Sequence, residues 1–186
     1  MPRMSRLLLT LASLTTALVS AAASETPAQP TAVRIVPPHL SLAIELHVKV
    51  GAPAEIGAVA RGRRRIIPIQ GGTFEGPGLR GTVLAGGADW QIVRADGLSE
   101  LDARYVLQTD AGELVYVQNM GIRHAPPEIT KKLLAGEDVD PSLVYFRTVP
   151  TFETAAPNLQ WLTRAVFVAT GERHPNDVII RVWKVD

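Results

Sequence analysis

Ile69–Tyr105 reads IQGGTFEGPGLRGTVLAGGADWQIVRADGLSELDARY and holds eight of the chain's fifteen glycines. Glycine at this density marks bulges, tight turns and places where one backbone runs close to another. Thr73-Phe74-Glu75 stands between Gly71-Gly72 and Gly76-Pro77-Gly78. Arg80–Leu84 and Asp89–Ala95 read as strands, separated by the turn Ala85–Ala88. Asp96-Gly97 then gives a strong hairpin signal, and Glu100–Thr109 returns. Turn, strand, turn, strand is the grammar of an antiparallel sheet.

The same grammar extends in both directions. Towards the N-terminus, Ser41–Val50 places Leu42, Ile44, Leu46, Val48 and Val50 on one face and Ala43, Glu45, His47 and Lys49 on the other. A period of two over ten residues predicts a half-buried strand. Gly51–Ile56 reads as a turn region, Ala58–Pro68 as a further strand, and Val33–Val36 as a short one. Towards the C-terminus, strands are expected at Glu113–Met120, Leu143–Val149, Leu162–Thr170 and Val178–Val185. Pro126–Gly136 is the one helix expected in this domain, with Pro127 and Glu128 at its start and Gly136 as C-cap. Its apolar side, Ile129, Leu133 and Leu134, suits a lid or plug on a β-structure. Many short strands joined by short turns predict an all-β, antiparallel barrel or sandwich. Closure into a barrel also removes the sheet edges of a Val- and Ile-rich chain.

The first residues carry a different signal. Arg3 and Arg6 precede the apolar run Leu7–Val19, and Ala21-Ala22-Ala23 supplies small residues for cleavage. This pattern predicts a signal peptide over residues 1–23, cut after Ala23, a disordered tail over 24–30, and one domain over 31–186. The expected destination is periplasmic or secreted, with no stable membrane insertion after cleavage. Without Arg3 and Arg6, 17 basic residues face 18 acidic ones, a net charge of −1. Such a balance gives no electrostatic case for nucleic acid. Arg61-Gly62-Arg63-Arg64-Arg65 is the one basic cluster, and it reads as a solvated strand edge or loop. There is no cysteine, which rules out disulfides, thiolate metal sites and cysteine catalysis. The four histidines have no metal-ligand spacing, so neither metal nor cofactor is expected.

GGTFEGPGLRG, GGADWQIVRADG, ELDARYVLQTDAG and YVQNMGIR, followed by YFRT, FET, WL and VATGER, occur in an order that resembles the DUF3237 or UPF0311 family of small bacterial and fungal proteins. The likeness runs from about Val33 to Val185. It implies a single-domain, calycin-like β-barrel of about eight to ten strands with one short helix. The family brings no general activity, so it carries over no catalytic residue. Two departures stand out: Asp110-Ala111-Gly112, where two acids more often precede the glycine, and the export signal, which most members lack.

Candidate binding residues follow from polar and aromatic side chains within the motif-dense strands. Asp102 and Arg104 share one strand face and make either a polar site in a lumen or a solvated exterior pair. Leu101, Tyr105 and Leu107 are the better lumen-fillers, but the surrounding motif density favours the functional reading. Glu75, between glycines, is either a ligand-binding carboxylate or an exposed partner of Arg80. Trp90 and Tyr105 are candidate aromatic walls, Asn119 and Arg123 a candidate rim, and Glu153 a second carboxylate that pairs with Glu75 if the two are close. The expectation is a cavity that binds a small, largely apolar organic molecule. The alternative is a cofactor-free isomerase, lyase or cyclase with a carboxylate acid/base in that cavity. A third possibility is a barrel with a filled core and no ligand.

Overall fold

The computed structural model describes residues 36–186; the predicted signal peptide, tail and most of the Val33–Val36 strand lie outside the described residues. Ten strands follow in chain order: β1 Leu40–Val50, β2 Ala54–Val59, β3 Gly62–Gly76, β4 Leu79–Val83, β5 Ala88–Val93, β6 Ser99–Thr109, β7 Leu114–His124, β8 Tyr145–Glu153, β9 Phe167–Arg173 and β10 Asp177–Val185. All pairings are antiparallel. The sheet runs β1-β10-β9-β8-β7-β6-β4-β3, and β3 pairs back onto β1. That last pairing closes an eight-position barrel. β4 and β5 share one position, both lying between β3 and β6, and β2 continues beyond β1 along the first half of β3.

The glycine-rich stretch shows its purpose at the closure. Gly71 and Gly72 do not break β3, as a turn reading expects, but let it run on against β1 through a register shift. A Cβ on Gly72 would stand 2.0 Å from the His47 carbonyl oxygen, and its φ of +148° disfavours any side chain. The remaining boundary changes have similar local causes. Ala58–Pro68 is split by a turn at Ala60-Arg61 into β2 and β3. In β1 a register shift between Leu42 and Ile44 turns Leu42 outward, 41% exposed, while Ile44, Leu46 and Val48 stay inside.

Side chains fill the barrel unequally along its axis. At one end Ile44, Leu46, Phe74, Leu107, Val115 and Val117 form a dry core, with an edge-to-face Phe152–Phe167 pair at 5.1 Å. Leu159 and Leu162, from the short helical segment Pro157–Thr163, seal that end. The helix α1, Pro127–Ala135, sits at the opposite end, where β7 finishes and β8 begins. It ends as its sequence dictates: Gly136 takes a left-handed φ of +80°, and the N–H groups of Gly136 and Glu137 donate to the Leu133 and Lys132 carbonyls at 3.2 and 3.0 Å.

Candidate functional site

At the α1 end the inward-facing positions change from aliphatic to polar, and a cavity of about 300 Å³ opens. Its apolar walls are Val48, Ile67, Ile69, Leu101, Phe146 and Ile180, with Leu133 and Leu134 of α1 at the mouth. That volume is about twice the ~150 Å³ space that holds a benzene molecule.

The polar wall is built by strict alternation. Arg65 shares a face of β3 with Ile67 and Ile69, and Asp89 and Gln91 share a face of β5. Asn119 and Arg123 continue the inward row that begins with Val115 and Val117 on β7. Thr148 of β8 and Arg173 of β9 complete the set. Arg65 Nε donates to Gln91 Oε1 at 2.9 Å, and Gln91 Nε2 donates to Asp89 Oδ2 at 2.5 Å. The Asp102 backbone N–H donates to Asp89 Oδ1 at 3.1 Å. Arg173 donates to the backbone oxygens of Pro175 and Asp177 at 2.9 and 3.3 Å. Arg123 makes no side-chain hydrogen bond or salt bridge among the described residues; its guanidinium lies 5.9 Å from the Phe146 ring centroid. Asn119 Oδ1 and Thr148 Oγ1 are buried without a hydrogen-bond partner.

Burial dominates the electrostatics here. It raises the Asp89 carboxyl above the usual carboxylate range, against the opposing pull of Gln91, the Asp102 N–H, Arg123 and Arg65. Arg123 is lowered to about 10, first by burial and then by repulsion from Arg65, with Asp89 opposing and Arg173 adding a little more repulsion. Burial also lowers Arg65 and Arg173. The Tyr105 phenol is pushed well up by burial despite the Asn119 side chain beside it, so it stays protonated.

Residues 38–185 match the family described as "Protein of unknown function (DUF3237)". The chain belongs to this family. A UPF0311 protein of Rhodopseudomonas palustris strain TIE-1 is 49% identical over 137 residues, covering 74% of this chain and 90% of its own length. The crystal structure of a conserved protein of unknown function from Rhodopseudomonas palustris superposes with a TM-score of 0.78 at 43% identity, over 82% of this chain and all of that one. A β-barrel-like protein from Acinetobacter baumannii gives 0.72 at 42% identity, over 83% of this chain and 99% of that one.

Within this DUF3237 barrel the structure separates the sequence-derived candidates into two groups. Tyr105, Asn119 and Arg123 line the cavity. Asp102, Arg104, Glu75, Trp90 and Glu153 do not, and the expectation that they form the polar site is corrected. Asp102 and Arg104 face outward because Leu101, Ala103, Tyr105 and Leu107 take the inward positions of β6. Arg104 Nη2 and Nε donate to the Asp102 carboxylate at 2.9 and 3.2 Å on the outer surface. Gln118 adds a donor at 3.1 Å, and these contacts, Arg104 first, hold the Asp102 carboxyl low. Trp90 is 37% exposed because Asp89 and Gln91 point in. Glu75 is exposed opposite Arg80, whose Nε pairs with Asp110 at 2.7 Å instead. Glu153 is exposed on β8, across the barrel from β3, so it forms no acid/base pair with Glu75.

Arg65, Asp89, Gln91, Thr148 and Arg173 were absent from the candidates. The signal for Arg65 lay in its parity with Ile67 and Ile69. Instead of joining a solvated cluster, it is 5% exposed inside the barrel.

Proposed function

We propose that this protein is an exported β-barrel that binds a small organic molecule, apolar over most of its body, inside the cavity at the α1 end. The observation that carries this reading is a cavity of about 300 Å³ whose lining mixes aliphatic side chains with buried polar groups that lack partners. A core built for stability alone has no use for buried arginines such as Arg65 and Arg123, because each buried charge costs desolvation that hydrophobes avoid. The basic start, the apolar run Leu7–Val19 and Ala21–Ala23 support export. Mass spectrometry of the mature protein isolated from its native compartment tests both parts. The expected result is an N-terminus at Ser24 and a stoichiometric co-purifying compound that Ala103→Phe, which fills the cavity, excludes. An N-terminus at Met1 refutes export, and equal recovery of the compound with Ala103→Phe refutes binding in the cavity.

Asp89 favours a second reading, a cofactor-free isomerase, lyase or cyclase in the same cavity. A carboxyl raised by burial, beside arginines able to stabilise a developing anion, suits general acid/base chemistry. Loss of turnover with retained binding in Asp89→Asn is the outcome that selects this reading over simple binding.

A further inference from the structure

The cavity carries an excess of positive charge that nothing inside it neutralises. Three guanidinium groups, of Arg65, Arg123 and Arg173, line it against one carboxyl group, Asp89. The arginines that do form ion pairs are on the outer surface, with Glu100, Glu55, Asp110, Asp96, Asp102, Glu45 and Glu172 as partners. Inside, Arg65 and Arg173 spend hydrogen bonds on neutral acceptors, an amide and two backbone carbonyls. Arg123 has its donors free while only 5% exposed. A planar guanidinium held at the rim of an apolar space, with no partner of its own, matches a carboxylate in shape and charge.

Deeper along the same wall the need is the opposite. Asn119 Oδ1 is an acceptor without a donor, and the Thr148 hydroxyl has no partner. Asn119 and Arg123 are four residues apart on β7, about 13 Å along a strand. That span suits a one- or two-ring body with a polar group at each end. We propose that the ligand is a small aromatic or alicyclic carboxylic acid: its carboxylate meets Arg123 alongside Arg65 and Arg173, and a hydroxyl or N–H at its other end donates to Asn119 Oδ1. This inference rests on the reading of the cavity as a binding site and adds the chemical class. Inorganic phosphate is a poorer match, since it leaves the apolar walls uncovered and brings a second charge towards Asp89.

Isothermal titration of the full chain with 6-hydroxy-2-naphthoate and its neutral analogue 6-(hydroxymethyl)-2-naphthol tests the assignment. The acid is expected to bind at least about tenfold more tightly than the alcohol, the order of one charge-assisted hydrogen bond. Arg123→Met is expected to abolish that preference, and Asn119→Leu to weaken both compounds. Arg123→Lys, which keeps the charge but not the fork, retains part of the preference. Equal binding of acid and alcohol by the wild type, or an undiminished preference in Arg123→Met, overturns the carboxylate assignment and leaves the cavity reading standing. Phosphate that displaces the naphthoate at equal concentration also overturns it. Failure of both naphthalene compounds to bind overturns this inference and the cavity reading together.

Discussion

Replacing Arg123 with methionine should make the barrel more stable. The guanidinium is buried at the cavity rim and held at about 10, more than two tenfold steps in proton affinity below an ordinary arginine. At ~1.4 kcal/mol per tenfold, keeping the charge there costs about 3 kcal/mol. Methionine has comparable length, no charge and enough flexibility to fill the space. It loses the stack on Phe146, worth about 1 kcal/mol. The net gain is about 2 kcal/mol, which in a domain of this size raises Tm by about 4–8 °C. The sign has its own pH signature. Near neutrality Arg123 is protonated in folded and unfolded chains alike, so the full cost is present. Above about 10 the folded group releases its proton before the unfolded one does. The unfolded state then binds more protons, wild-type stability rises relative to the variant, and the gap narrows. Circular dichroism melts of both proteins at about pH 7 and about pH 11 measure this. A folded Arg123→Met protein that melts below wild type at neutral pH refutes the claim that the arginine is kept at the expense of stability.

Asp89 gives a second pH effect. Burial makes the folded carboxyl hold its proton to higher pH than the unfolded one, so stability declines as pH rises from the unfolded value of about 4 through the raised folded value. Asp89→Asn should flatten the dependence of the urea midpoint on pH across that window. Thr148→Val removes a buried hydroxyl without a partner and should stabilise by about 1 kcal/mol in chemical denaturation. The exterior pair is expected to be nearly silent: Arg104→Ala leaves the thermal midpoint and, by calorimetry, the ligand affinity essentially unaltered. Gly72→Val drives a side chain into the His47 carbonyl and should prevent the barrel from closing, seen as loss of the cooperative thermal transition.

The barrel was legible in the sequence because its signals are local. Alternation in Ser41–Val50, the Asp96-Gly97 turn and the Gly136 cap each act over a few residues, and each appears in the structure close to where it was expected. The extent of β3 is not legible locally because glycine is ambiguous. The same residue that permits a turn also permits two strands to pass closely, and only the distant partner β1 decides between them. The site was legible in part for a related reason. Parity along a strand assigns residues to faces but does not say which face is wet. On β6 the aliphatic row settled the matter against Asp102 and Arg104. On β3 and β5, Arg65 and Gln91 occupy the inner row, where hydrophobes are the ordinary choice, and they read as surface residues until the ring is closed. Polar side chains in phase with aliphatic ones were the mark of the cavity.

The seam between β1 and β10 ties the start of the described chain to its end, and the Asp186 N–H reaches the His39 carbonyl at 2.9 Å. A chain without β10 therefore cannot complete the ring. Loss of that strand leaves the outer margins of β1 and β9 open to pairing with strands of other molecules, the hazard that barrel closure removes.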